Sequence, residues 1–241
     1  MDSSIDNILC IPQPTGPLLR LADVPIHILG KHAAVPPRIV VLPGSFNPLH
    51  AGHAASLESC IALCHATDFQ LCGEQAAGGS SRKACPLYEL SVFNVDKPPI
   101  PLQELEARLD QFSRQNVCIL LTKLPRFIDK ARAYPGMSYV IGIDTLLRLV
   151  DPVYTSGSSE LMAHALASVV RDGSQFFVLP RTFGAANIPA KFGLQLGHEE
   201  LLTYAMVSER VPESIRAAFK EVIKNESRFF LIFTWRADIF A

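Results

Sequence analysis

Two histidines three residues apart, His50 and His53, lie in the stretch Pro43-Gly44-Ser45-Phe46-Asn47-Pro48-Leu49-His50-Ala51-Gly52-His53. At that spacing, where a helix begins, both imidazoles face one side and can serve one anionic group. The surrounding residue types suit the same task. Gly44 and Ser45 can present backbone N–H groups, and Gly52 lets the backbone approach a ligand closely. The unpaired N–H groups and dipole of a helix start favour an anion beside His53. Two imidazoles there can donate hydrogen bonds to charge that develops as a phosphate group is transferred.

Such a site needs a strand that ends at Pro43 and a helix that starts near Gly52. Ile39-Val40-Val41-Leu42 is a short, β-branched apolar run and reads as a strand buried on both faces. Gly52 to Ala66 reads as the helix. Further strands are expected at Leu87–Phe93, Val117–Leu121, Ser138–Ile143, Gln175–Leu179 and Arg228–Phe233. Helices are expected at Leu102–Ser113, Arg126–Tyr134, Thr145–Val150, Glu160–Arg171 and Pro212–Lys224, and an exposed loop at Gly73–Ser81. Strands that alternate with helices imply α/β: a doubly wound, mostly parallel Rossmann-like sheet of five to six strands, with ligands at the strands' carboxyl ends. Residues 1–37 carry six prolines and read as an irregular leader, residues 38–241 as the domain.

Composition narrows the function classes. The 241 residues are 49 % apolar and 19 % charged, with a net charge of −1, so the chain is neither disordered nor a polyanion binder. No nucleic acid and no membrane are expected as partners, while a small anionic ligand needs only a local site. No apolar run reaches bilayer length, and Met1-Asp2-Ser3-Ser4 lacks the positive start of a signal peptide. Six cysteines without a disulfide pattern suit reduced thiols and the cytoplasm, with the nucleus also open.

The stretch from Gly44 to His53 resembles the H-x-G-H signature of the nucleotidyltransferase superfamily, in the G-S-F-N-P-x-H-x-G-H form of nicotinamide and nicotinate mononucleotide adenylyltransferases. Glu89-Leu90-Ser91, Asn94 to Pro99, Phe127 to Gly136 and Val140 to Thr145 resemble a plant-type branch of cytidylyltransferase-like proteins. The resemblance implies transfer of AMP from ATP to nicotinamide or nicotinate mononucleotide, with Mg2+ accompanying ATP and pyrophosphate leaving. It makes His50 and His53 catalytic, with Gly44, Ser45, Phe46 and Gly52 beside the phosphates. It implies that Gly142 and Asp144 contact the nucleotide, with Arg181 in the place of a family arginine. Lys97 is a further candidate for a phosphate, and Asp144 is also placed to cap a helix. ATP and a small phosphorylated acceptor are then the partners, and a homo-oligomer is compatible with this reading.

The superfamily also carries I-S-S-T-x-x-R near its C-terminus. Here Asp238-Ile239 resembles the lead-in to that signature, and the sequence stops at Ala241. The expectation is a domain without its second phosphate-binding signature. Three alternatives stay open: another acceptor (phosphopantetheine, or a CTP-dependent alcohol phosphate), a non-catalytic nucleotide-binding relative, and an incomplete gene product. Cys60, Cys64 and His65 have the residue types for zinc but not a zinc spacing, and read as core.

Overall fold

The computed structural model describes residues 8–10, 19–20, 38–71, 84–95, 98–115, 117, 119–186, 188, 190–210, 213 and 229–231. Two compact units emerge, the first ending at Arg126 and the second beginning at Phe127. The sequence reading drew no boundary there. The class is the expected one, α/β with mostly parallel strands in the Rossmann-like manner.

In the first unit the elements are β1 (Ile8–Cys10), β2 (Leu19–Arg20), β3 (Arg38–Pro43), α1 (Ala51–Leu71), β4 (Ala84–Ser91), α2 (Leu102–Gln115) and β5 (Ile119–Thr122). β3 pairs parallel with β4 from Arg38↔Ala84 to Pro43↔Glu89, and β4 pairs parallel with β5 from Tyr88↔Ile119 to Ser91↔Thr122. Val40, Val41, Leu90, Ile119 and Leu120 are all buried. Each such side chain contributes roughly 1.5–3 kcal/mol on leaving water, which is what holds these short strands together. Within the stretch expected as a leader, β1 pairs antiparallel with β5 and with β2. Segments of two or three residues among prolines are too short to show a period; β5 gives β1 an edge to pair with, and β1 gives β2 one.

The second unit holds α3 (Phe127–Ala133), β6 (Ser138–Gly142), α4 (Ile143–Leu149), α5 (Ser159–Arg171), β7 (Gln175–Leu179), β8 (Arg181–Thr182), β9 (Leu201–Leu202), α6 (Tyr204–Arg210) and β10 (Phe229–Leu231). β7 lies between β6 and β10, parallel to both, and Phe176 and Phe177 are fully buried. α3 gives way at Tyr134-Pro135-Gly136, as expected, with Gly136 at φ 79°. α5 is capped by Ser158, whose Oγ accepts from the Leu161 N–H at 3.1 Å. The β8–β9 ribbon and α6 were not expected. Gly73–Ser81 and all but one residue of the expected helix Pro212–Lys224 lie outside the described residues. Among the described residues no helix is long and apolar enough to cross a membrane.

Candidate functional site

Each unit gathers expected site residues at the carboxyl end of a parallel strand. In the first unit β3 ends at Pro43 and the loop to α1 begins with Gly44. The Gly44 N–H donates to the Glu89 carbonyl at 2.9 Å, so it extends the sheet. Of the two amides that the sequence offers for an anion, Gly44 and Ser45, that of Gly44 is thus taken up by the sheet. What Gly44 supplies is space: a Cβ there would stand 2.8 Å from the Phe46 ring. Glu89 is itself buried, and its carboxylate accepts from the Thr122 hydroxyl. β4 thus braces the start of the loop.

Phe46 sits at φ 47°, a left-handed conformation that costs a non-glycine residue roughly 1–2 kcal/mol. Its ring offsets that cost. The residue is 1 % exposed, and the ring makes edge contacts with His53, Tyr88 and Phe112 at centroid distances of 5.1, 5.5 and 5.1 Å. Burial of a phenylalanine stabilises by about 2–3 kcal/mol, slightly more than the strain. The Asn47–Pro48 bond is cis.

His50 and His53 come together as the spacing requires, their rings stacked with centroids 3.8 Å apart. His50 is the residue before α1 and His53 lies in its first turn. The His50 N–H donates to His53 Nδ1 at 3.2 Å, and the His53 N–H donates to the His50 carbonyl at 3.0 Å. This is the side-chain half of a capping box, with a histidine in the usual place of glutamate or glutamine. It has a chemical consequence. A neutral imidazole that accepts at Nδ1 carries its proton at Nε2, so His53 is held as an Nε2–H donor. Gly52 is buried in the same turn, its carbonyl accepting from Ser56 Oγ at 2.7 Å.

α2 contributes residues that the sequence reading did not single out. Arg108 Nη1 donates to the Ser45 carbonyl at 2.8 Å, and its Nη2 donates to Glu104. Asn47 Nδ2 donates to Glu104 Oε1 at 3.3 Å. Gln111 Nε2 donates to the Phe46 carbonyl at 3.2 Å, while Gln111 Oε1 accepts from the Leu49 N–H at 2.7 Å. Residues 104, 108 and 111 share one helix face by their i, i+4, i+7 spacing. That spacing is the sequence signal that could have found them.

In the second unit β6 runs into α4 through Gly142, the N-cap, which makes no side-chain cap bond. Asp144 is therefore not the cap. It lies buried in the first turn, where Arg181 Nη1 approaches its Oδ2 at 3.6 Å. A Cβ on Gly142 would stand 2.5 Å from Asp144 Oδ1 and 3.2 Å from Arg181 Nε. Asp144 Oδ1 is buried without a hydrogen-bond donor. Gly142, Asp144 and Arg181 thus form one cluster, in which the missing side chain of Gly142 admits the carboxylate.

No protein-family model matches the chain, and no curated protein is similar to it at a significant level.

Lys97 lies outside the described residues. Among the described residues no group of three or more His, Cys, Asp or Glu side chains could hold a metal ion. Cys60 and Cys64 are buried in α1 and in no disulfide, and burial pushes the Cys60 thiol up, with Cys64 adding to the effect. Chemically, the first cluster offers a fixed Nε2–H donor, a second imidazole stacked on it and the start of a helix. The second offers a carboxylate acceptor beside a guanidinium.

Proposed function

We propose that this chain is an H-x-G-H nucleotidyltransferase that moves AMP from ATP to nicotinamide or nicotinate mononucleotide. The observation that carries this reading is the hydrogen bond from the His50 N–H to His53 Nδ1, in a loop that joins a parallel strand to a helix. A phosphate needs donors, and an imidazole that accepts at Nδ1 offers its Nε2–H as one. An oxygen of the acceptor phosphate attacks the α-phosphorus of ATP. The bond from that phosphorus to the bridging oxygen breaks, and pyrophosphate leaves with the electron pair. His53 donates from Nε2 to a phosphate oxygen as charge builds on it, with His50 stacked beside it. The Ser45 and Phe46 amides are the backbone donors of this loop.

Mg2+ would arrive with ATP, ligated by phosphate and water, and would neutralise phosphate charge. Gly142, Asp144 and Arg181 carry the rest of the resemblance, with the Asp144 carboxylate suited to a hydroxyl donor. The cytoplasm is the compartment that fits the cysteine usage.

The test is pyrophosphate release from Mg-ATP with a panel of phosphorylated acceptors, CTP replacing ATP in parallel and His53→Ala as the blank. Release that requires nicotinamide or nicotinate mononucleotide and disappears in the variant is the expected result. Release from CTP alone would move the reading to a cytidylyltransferase. ATP binding by calorimetry, without release for any acceptor, would move it to a non-catalytic nucleotide binder.

A further inference from the structure

We infer that Gln111 of α2 is a positioning residue for the loop that carries His50 and His53, with Arg108 as its second anchor. Gln111 uses both ends of its amide on the loop: Nε2 donates to the Phe46 carbonyl and Oε1 accepts from the Leu49 N–H. The two contacts fall on either side of Asn47-Pro48, so one side chain ties both ends of the turn. A side chain with a donor and an acceptor on one carbon, at that reach, is glutamine and no other. Glutamate keeps the acceptor but sets an oxygen against the Phe46 carbonyl. Methionine has the length and neither function.

The contacts fix peptide planes as well as positions. In a trans peptide the carbonyl and the next residue's N–H point in opposite directions. Arg108 holds the Ser45 carbonyl toward α2, so the Phe46 N–H is turned away from α2. Gln111 holds the Phe46 carbonyl toward α2, so the Asn47 N–H is turned the same way. Two consecutive amide donors of the loop thus share an orientation set by α2. The Arg108 side chain is 11 % exposed, so its guanidinium is held by packing as well as by Glu104.

The link to the histidines runs through Leu49. Its N–H is fixed by Gln111, and the next residue, His50, must aim its own N–H at His53 Nδ1. Loss of the Leu49 contact frees the approach to the N-cap, and with it the bond that keeps the His53 proton on Nε2. The geometric part of this inference stands on the contacts alone, while its effect on turnover rests on the proposed nucleotidyl transfer.

The experiment reads both parts on the full chain. Imidazole nitrogens are followed by long-range 15N NMR in the wild type, Gln111→Met and Arg114→Ala, and pyrophosphate release is measured on the same samples. Arg114 pairs with Asp110 on the exposed part of α2 and serves as the control. In the wild type, His53 should show an Nε2–H ring with Nδ1 accepting. In Gln111→Met it should show a mixture of both tautomers, with kcat lowered about tenfold or more by misplacement of the donor and KM for Mg-ATP changed less. Arg114→Ala should match the wild type in both readouts. A Gln111→Met protein with wild-type His53 signals and wild-type kcat overturns the inference. A wild type that releases no pyrophosphate with any acceptor, while Gln111→Met still mixes the tautomers, defeats the functional proposal and leaves the positioning role supported. If Gln111→Met does not fold, Gln111→Glu is read instead. Its second oxygen repels the Phe46 carbonyl and so pulls the carboxylate away from the Leu49 N–H; the tautomer balance should shift in the same direction by less, and unchanged His53 signals there overturn the inference.

Discussion

The His50 N–H and His53 Nδ1 are hydrogen-bonded at 3.2 Å, so one imidazole both caps α1 and is fixed as a donor. The two roles separate by substitution. His53→Ala removes both and should lower turnover on the order of 10²–10³-fold, the scale for loss of one preorganised donor. His53→Gln restores a capping-box acceptor for the His50 N–H. It should recover most of the roughly 0.5–1 kcal/mol that the cap contributes, while turnover stays low. Urea unfolding and pyrophosphate release on both variants check this; full turnover in His53→Gln would remove the imidazole from the mechanism.

Phe46 should invert the usual ranking of alanine and glycine. Either substitution loses the buried ring, on the order of 3–5 kcal/mol for truncation of a core phenylalanine. Alanine keeps the strain of φ 47°, whereas glycine relieves about 1 kcal/mol of it. Phe46→Gly should therefore be more stable than Phe46→Ala by about 1 kcal/mol less the extra chain entropy of glycine. Denaturation midpoints for the pair decide the matter, and an alanine variant that is clearly the more stable would contradict the left-handed backbone at Phe46.

Gly142 and Asp144 should be energetically coupled. Gly142→Ala places a methyl where Asp144 Oδ1 now lies and should cost about 1–3 kcal/mol by overpacking. In Asp144→Ala the obstruction is gone, so the double variant should be more stable than the sum of the single effects predicts. A double-mutant cycle by chemical denaturation measures the difference, and strict additivity would mean that the carboxylate does not occupy that space.

Alkaline pH should destabilise the fold through Cys60. Burial holds its folded pKa above the unfolded thiol value of about 8.5, so the unfolded state gives up its proton first. The stability is complete below that value and falls as pH rises beyond it, by up to about 1.4 kcal/mol per pH unit for this group. Tyr88, raised by burial and then by Glu58, adds the same sign of slope above about pH 10. Cys60→Ala should flatten the decline between pH 9 and 10, read from urea midpoints at a series of pH values (about 0.5 unit apart). An identical decline in the variant would count against a buried thiol at this position.

The parts of this protein that follow from local pattern were legible before folding was considered. Ile39 to Leu42 is a β-branched run closed by Pro43-Gly44, and such a run can be little else than a buried strand. His50 and His53 at their spacing imply a shared face wherever a helix starts, and the structure stacks them. Pro135-Gly136 after α3 marks an end through backbone chemistry that a few neighbouring residues decide. β1 and β2 were not legible, because segments of two or three residues show no period; β1 gains its strand character by pairing along β5, and β2 by pairing along β1.

What the tertiary structure decided are relations between residues far apart in the chain. Gln111 and Phe46 meet only because α2 returns to the loop after β3, and no spacing in the sequence records that return. The Gly44 N–H goes to Glu89 because β4 lies beside β3, although the loop pattern suggested a phosphate. Asp144 pairs with Arg181 and leaves the cap position to Gly142, since the end of β7 delivers the guanidinium there. Sequence by itself determined the alternation of strands and helices and the residues at the strand ends, because those depend on short-range sterics and hydrophobic period. The direction of each amide and the proton position on His53 depend on which distant peptide or side chain fills the remaining hydrogen bond, and only packing of the folded chain supplies that partner.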